Sequence, residues 1–259
     1  MDTFMRFQRV RDQLAAWSSA RLTTNKLERA TTPIDAEQEA FYVDDADLVM
    51  DDAMRACFGE VGEARVAWQV RDRVGGSITL PGIDTIAMDF IGDIERMAPQ
   101  SDAEREHLMR LRFIDLQQAT DWTAFRCDPE GVATLWLRCN GAGCTPWIDA
   151  PMTVDFAGYL EHLLGTRGVY HWPLLYMDLS GITADDREGL LRYSMPMVRD
   201  GLTALLDCPG AKDDARRYLA RAAEVARALG SKSVAKTPPA KKPAAERPAA
   251  KKKARTRKA

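Results

Sequence analysis

The fold of this chain is decided by a stretch that opens with Leu111-Arg112-Phe113-Ile114-Asp115-Leu116. This run is short and mixed enough to be a strand buried on both faces. Residues 121–127 and 132–139 have strand-like composition, and Asp128-Pro129-Glu130-Gly131 between them has the residues of a type I turn. The sequence therefore predicts a strand followed by a hairpin. A further turn is predicted at Asn140-Gly141-Ala142-Gly143, from which the chain returns through residues 144–148.

A helix and an extended segment are predicted to follow the hairpin. Thr153 can accept a hydrogen bond from the first helical turn, and Gly165 can end the helix. Apolar side chains recur between them at helical spacing, at Phe156, Tyr159, Leu160, Leu163 and Leu164. Residues 169–177 are apolar, and Pro173 favours an edge position or a bulge. This order of elements predicts an α+β fold with a mostly antiparallel sheet and flanking helices.

These segments resemble the SUKH superfamily, in which a strand is followed by a hairpin and by a helix of the form Phe-x-x-Tyr/Phe-Leu. The matching segments are residues 111–116, Asp121-Trp122-Thr123-Ala124-Phe125 with the turn after it, Leu135-Trp136-Leu137, and Phe156-Ala157-Gly158-Tyr159-Leu160-Glu161-His162-Leu163-Leu164. The resemblance implies a non-catalytic binding fold, which bacteria use most often as an immunity protein that occludes a toxin.

The net charge of −2 conceals two oppositely charged parts. Of the 36 basic and 38 acidic residues, 11 basic residues and one acidic residue lie in residues 231–259, which gives this tail a net charge of +10. Residues 1–230 keep 25 basic and 37 acidic residues and a net charge of −12. We predict one acidic α+β domain over residues 1–230, with a core unit at 111–178 and C-terminal helices at 183–230. The tail is predicted to be disordered because it has too little apolar surface to bury.

The basic tail is a candidate nucleic-acid-binding segment. The candidate contacts are Lys241, Lys242, Arg247, Lys251, Lys252, Lys253, Arg255, Arg257 and Lys258. Counterion release would let them bind nucleic acid without sequence preference and with a steep dependence on salt. Two alternatives stay open from sequence: a tail that confers solubility, and a tail that folds back on the acidic body.

An acidic cluster is the candidate site for a protein partner. It comprises Asp44, Asp45, Asp47, Asp51 and Asp52. The first three are predicted to open a helix that runs to about Phe58, where carboxylates would favour the positive end of the helix dipole. The functional alternative is a landing site for a basic partner.

The remaining segments are predicted to be mostly helical. A helix is expected over residues 2–20, with Phe4, Phe7, Val10, Leu14 and Trp17 in one stripe. Other expected elements are strands at 66–70 and 77–80, a tight turn at Gly75-Gly76, a capped helix from Ser101, a helix from Thr183 that Pro196 kinks or splits, and a last helix at 213–229.

No catalytic, cofactor or metal site is predicted. His107, His162 and His171 are isolated in sequence, and nothing supplies a nucleophile for the possible carboxylate pair Asp115 and Asp121. The five cysteines form no C-x-x-C pair and are expected to be reduced, although Cys139 and Cys144 could face each other across a turn. Trp136, Trp147, Tyr170 and Trp172 are expected to be core residues, with an aromatic binding surface as the alternative.

The sequence thus predicts a cytoplasmic binding protein rather than an enzyme. No apolar run approaches the roughly 18 residues of a membrane span, and the N-terminus lacks the core of a signal peptide. The leading hypothesis is an immunity protein that captures a basic toxin, without a cofactor. The alternative is a nucleoid-associated or DNA-tethered protein that acts through its tail. The oligomeric state does not follow from the sequence.

Overall fold

Two antiparallel sheets organise the computed structural model, which describes residues 2–88, 101–117, 121–128, 131–139 and 147–231. The first sheet has the order β1-β2-β3, with β1 at Arg21–Arg29, β2 at Val61–Arg71 and β3 at Val74–Leu80. The second has the order β4-β5-β6-β7, with β4 at Leu111–Gln117, β5 at Asp121–Asp128, β6 at Gly131–Cys139 and β7 at Ile148–Pro151. The predicted α+β class is therefore confirmed.

Helices flank both sheets. Among the described residues, the α-helices are α1 (Thr3–Ala15), α2 (Ala36–Ala46), α3 (Asp52–Glu60), α4 (Ile83–Met88), α5 (Asp102–Met109), α6 (Phe156–Gly165), α7 (Ala184–Gly189), α8 (Met195–Ala204) and α9 (Lys212–Gly230). Two 3₁₀ helices span Trp172–Tyr176 and Leu205–Asp207, and a π-helix spans Leu190–Ser194. Within the described ranges, no helix is both long and apolar enough to cross a membrane.

The predicted hairpin of the second sheet is confirmed. Phe125 pairs with Leu135, and Trp122 pairs with Arg138, so the core-facing positions of β5 lie beside the core-facing positions of β6. Because side chains alternate along a strand, Phe125 and Leu135 face the core, whereas Trp122 and Arg138 lie on the outer face. The predicted turn at 140–143 lies outside the described residues, as does Cys144, so a pairing of Cys139 with Cys144 stays a prediction.

The kink or split predicted at Pro196 takes the form of a π-helical turn between α7 and α8. The π-helix ends immediately before α8, and Pro196 lies in the first turn of α8. Proline has no N–H to donate, and its ring crowds the carbonyl four residues earlier, so the preceding turn opens.

Two predictions around α6 are wrong. The N-cap is Asp155 rather than Thr153, because the Asp155 carboxylate accepts from the Gly158 N–H at 2.8 Å. The Thr153 hydroxyl instead donates to the Tyr176 carbonyl at 3.0 Å. The expected extended segment contains the 3₁₀ helix at Trp172–Tyr176, where Pro173 lies in the first turn and needs no hydrogen-bond donor.

Two further differences concern the first sheet. Strand β1 was not expected, because its sequence is polar. In the described part of the chain it pairs with one strand, β2. The tight turn lies at Asp72-Arg73, where Arg73 has φ 61°, and not at Gly75-Gly76. Those glycines belong to β3. Gly76 has to be a glycine there, because a Cβ would lie 2.5 Å from the Gly168 carbonyl oxygen.

A shared hydrophobic core joins the two sheets and the helices. It includes Leu14 of α1, Trp68 of β2, Leu137 of β6, Tyr159 of α6 and Leu202 of α8, each fully buried. Burying a large apolar side chain contributes about 1.5–3 kcal/mol. The stripe predicted for α1 belongs to this core, with Phe4 at its margin. The α1, β2 and α8 elements therefore form one packing unit with the predicted core unit 111–178.

Candidate functional site

The acidic cluster lies at the junction of α2 and α3, and its predicted place in a helix is wrong for three of its members. Asp44 and Asp45 occupy the last turn of α2, and Asp47 is its C-cap with φ 51°. The helix begins earlier because Asp35 and Gln38 form a capping box. That Asp-x-x-Gln pattern is the sequence signal by which α2 could have been found.

The other two acids start α3, a role that the sequence had predicted for Asp44, Asp45 and Asp47. Asp51 is the N-cap of α3, and its carboxylate accepts from the Met54 N–H at 2.7 Å. Asp52 is the first residue of that helix and pairs with Arg55 at 2.9 Å. Both carboxylates lie near the positive end of the α3 dipole, where negative charge is favourable.

The positions of Asp44 and Asp45 cannot be explained by helix stability. A carboxylate near the negative C-terminal end of a helix costs about 0.3–1 kcal/mol. The terminal carbonyl of α2 is instead satisfied from inside the protein, because the buried guanidinium of Arg112 donates to the Ala46 oxygen at 3.0 Å. Burial lowers the pKa of Arg112 from its ordinary value, but an arginine stays charged at neutral pH.

Asp44, Asp45 and Asp47 lie on the protein surface, and Asp47 also interacts electrostatically with the buried Arg112, whose charged form it favours. All three residues are exposed, and none of the three makes an ion pair with a described residue. On the same side of α2 lie Glu37, which is exposed, and the Phe41 ring, which is 43% exposed. We call this set the acidic face: Glu37, Phe41, Asp44, Asp45 and Asp47.

The positions of the aspartates in α2 and α3 predict opposite effects on stability when they are replaced. Replacing Asp44 and Asp45 together with asparagine should raise the urea midpoint of unfolding at low ionic strength, because it removes charge from the wrong end of α2. Replacing Asp51 with alanine should lower the free energy of unfolding by about 1 kcal/mol, because it removes the α3 cap. A loss of stability in the Asp44/Asp45 variant would contradict the C-terminal placement.

A buried polar cluster under the second sheet is the main alternative site. His171 is not isolated: its Nδ1 contacts the Asp121 carboxylate, and both residues are buried, at 6% and 1% exposure. The Tyr159 hydroxyl donates to Asp115 at 3.3 Å. Asp115 and Asp121 thus share the core face of the sheet but have different partners. Because a general base must reach a substrate proton, this burial favours a structural role that holds His171 at φ 62°.

The other two histidines pack against rings. His162 stacks on Tyr176 with ring centroids 3.9 Å apart, and its Nδ1 lies 3.0 Å from the Tyr218 hydroxyl. His107 packs on the edge of Trp136. Burial lowers the pKa of both histidines, so they are neutral at pH 7.

The four aromatic residues that were predicted as core residues, with an aromatic surface as the alternative, are divided between environments. Trp172 is fully buried in the core, whereas Trp136 and Trp147 lie half-buried beside the outer face of the second sheet. Tyr170 donates its backbone N–H to Gly75 at 3.2 Å. The outer-face tryptophans are covered by guanidinium groups, with Arg138 stacked on Trp147 and Arg126 on Trp136.

The described cysteines and the possible metal ligands do not form a reactive site. Cys57, Cys127, Cys139 and Cys208 are buried. Burial raises the pKa of Cys127 to about 12 and that of Cys208 to about 11, so these two are protonated and weakly nucleophilic. No group of three or more His, Cys, Asp or Glu within the described ranges could hold a metal ion. The nine candidate tail residues, from Lys241 to Lys258, lie outside those ranges.

Comparison of the chain with protein-family models, with curated proteins and with solved structures finds no match. The resemblance to the SUKH superfamily therefore stays a prediction. The function has to be argued from the geometry and charge of the residues described above.

Proposed function

We propose that this protein is a non-catalytic binding module that captures a basic protein partner on the acidic face. The observation that carries the proposal is the position of Asp44, Asp45 and Asp47. They are exposed, they have no ion-pair partner among the described residues, and two of them oppose the dipole of their own helix. A partner's lysine or arginine would relieve that unfavourable charge, which gives the cluster a reason to be where it is.

The capture would proceed in two steps. The net charge of −12 on residues 1–230 steers a basic protein toward the surface and raises the association rate. On contact, Phe41 provides an apolar anchor that loses water, while the surrounding carboxylates pair with lysine or arginine side chains. An exposed aromatic ring within a charged rim is typical of protein-binding sites.

The resemblance to the SUKH superfamily supports a partner of the toxin class. A nuclease toxin carries a basic cleft for its anionic substrate, so an acidic surface can fill the cleft and block it. The tail-borne nucleic-acid binding predicted from sequence is a separate hypothesis, since it involves none of the acidic face.

The proposal is tested by neutralising the acidic face in the full chain. A D44N/D45N/D47N variant should bind its basic partner about 30-fold more weakly or worse at low salt, mainly through a slower association rate. Partners would be captured from nuclease-treated lysate of the source cells, identified by mass spectrometry and measured by surface plasmon resonance. Asparagine tolerates the left-handed backbone of Asp47, so the fold should be kept.

A matched control removes the same number of charges elsewhere. D185N/D200N/D207N neutralises three exposed acids on the C-terminal helices and should bind within about threefold of the wild type. The proposal fails if both variants lose affinity equally, or if the proteins released by the acidic-face variant are acidic.

A further inference from the structure

A cavity of about 220 Å³ lies where α1, α6 and α9 meet, away from the acidic face. Four arginines line it: Arg6 and Arg9 from α1, Arg167 after α6, and Arg217 from α9. Two carboxylates, Glu161 and Asp214, also contribute to the lining. On a chain whose first 230 residues carry a net charge of −12, this is a local excess of positive charge.

The two carboxylates are already neutralised by two of the arginines. Arg217 pairs with Glu161 at 3.1 Å and with Asp214 at 3.4 Å, and Arg167 pairs with Asp214 at 2.7 Å. Arg6 and Arg9 make no ion pair with any residue that the structure describes. The cavity therefore has two cations whose charge no nearby described carboxylate offsets.

Arg167 forms a rigid wall of the cavity. It is 3% exposed, and its guanidinium donates to the carbonyls of Leu164, Gly165 and Gly210 and to the side chain of Gln13. Its Nε is buried and has no hydrogen-bond partner among the described residues. Because these bonds hold the guanidinium in place, little side-chain freedom would be lost when an anion binds beside it.

We infer that this cavity binds a small dianion of the phosphate class, either inorganic phosphate or a phosphate monoester. Arg6 and Arg9 are three residues apart on one helix, so their Cβ atoms are about 5–6 Å apart and both guanidinium groups can reach one phosphate. The cavity is open to solvent and is large enough for a phosphate with a short carbon chain. This inference is independent of the proposed capture of a basic partner.

The test titrates the full chain with sodium phosphate and, separately, with glycerol 3-phosphate, while sodium chloride keeps the ionic strength constant. The readout is the NMR shift of the Gly165, Arg167 and Gly210 amides, because the basic tail could bind phosphate without moving these signals. Saturable shifts are expected in the wild type. The R6Q/R9Q variant should bind at least about tenfold more weakly, since two charge-assisted contacts are lost.

The matched control is R11Q/R216Q, which also removes two arginines. Arg11 pairs with Asp12, Arg216 pairs with Asp213, and neither arginine lines the cavity. Its affinity should stay within about twofold of the wild type. If glycerol 3-phosphate binds more tightly than inorganic phosphate, the ligand is a phosphate ester. If the two probes bind equally, the ligand is the inorganic anion. The inference is overturned if these amides do not shift up to 20 mM of either probe, or if R6Q/R9Q binds like the control.

Discussion

A Gly168→Ala chain should lose about 3–5 kcal/mol of its free energy of unfolding. Gly168 has φ +63°, and a Cβ there would lie 2.1 Å from the Ser77 carbonyl oxygen. The atoms in its way belong to the backbone of β3, so no side-chain rotation can relieve the overlap. The Gly168 carbonyl also accepts from the Ser77 N–H at 2.7 Å, so the bond that joins the end of α6 to the first sheet would be strained.

Gly59 provides the matched control for Gly168. It lies in α3, and a Cβ there would have no atom within 4 Å. Gly59→Ala should therefore stabilise the protein by about 0.5–1 kcal/mol, because alanine loses less backbone entropy in a helix. Urea unfolding followed by far-UV circular dichroism measures both variants. Equal and small effects would show that the segment after α6 does not approach β3 closely at Gly168.

Arg138→Met is expected to cost about 3–5 kcal/mol at pH 7.5. The Arg138 guanidinium is fully buried, contacts the Asp149 carboxylate and lies 3.2 Å from Glu104. Removing it would leave the Asp149 carboxylate, whose side chain is 19% exposed, without this cation. Arg126→Met on the neighbouring strand is the control, and should cost less than about 1 kcal/mol because its pairing with Asp128 is more exposed.

The cost of Arg138→Met should depend on pH in a defined direction. Burial raises the pKa of Asp149 to about 6, although Arg138 opposes the rise. A carboxyl whose pKa is higher in the folded state lowers stability as pH rises from its unfolded pKa, 3.8, through about 6. Without Arg138 the rise is larger, so the stability gap to the wild type should widen between pH 4.5 and 7.5. A gap that narrows over this interval would be inconsistent with a carboxylate held by Arg138.

Local patterns in the sequence were sufficient to predict several elements. The β5–β6 hairpin, the stripe on α1, the split before α8 and the extent of α9 were all predicted correctly. Each depends on residues that are close in sequence: alternation, helical spacing or the missing proline N–H. The polar and mostly exposed strand β1 carries no such pattern, since its strand conformation comes from pairing with β2, whose residues lie about 40 positions later.

Sequence also identified the acidic cluster but misplaced it within its helix. The five aspartates were found by composition, whereas Phe41 and Glu37 were missed because they count as ordinary helix residues. The end of the α2 helix depends on Arg112, which reaches the Ala46 carbonyl from 66 positions away. No local rule could show that Asp44 and Asp45 oppose the dipole of their own helix.

By itself, the sequence determined the α+β class, the contrast between a −12 body and a +10 tail, and most helices. Only the tertiary structure brought His171 to Asp121, divided the aromatic residues between core and surface, and joined Arg6, Arg9 and Arg167 around one cavity. The physical reason is the separation in sequence between the residues that interact. Helix and strand patterns arise from neighbours a few residues apart. Sites arise from charges and hydrogen bonds between residues that folding brings together, such as Gln13 and Arg167, 154 positions apart.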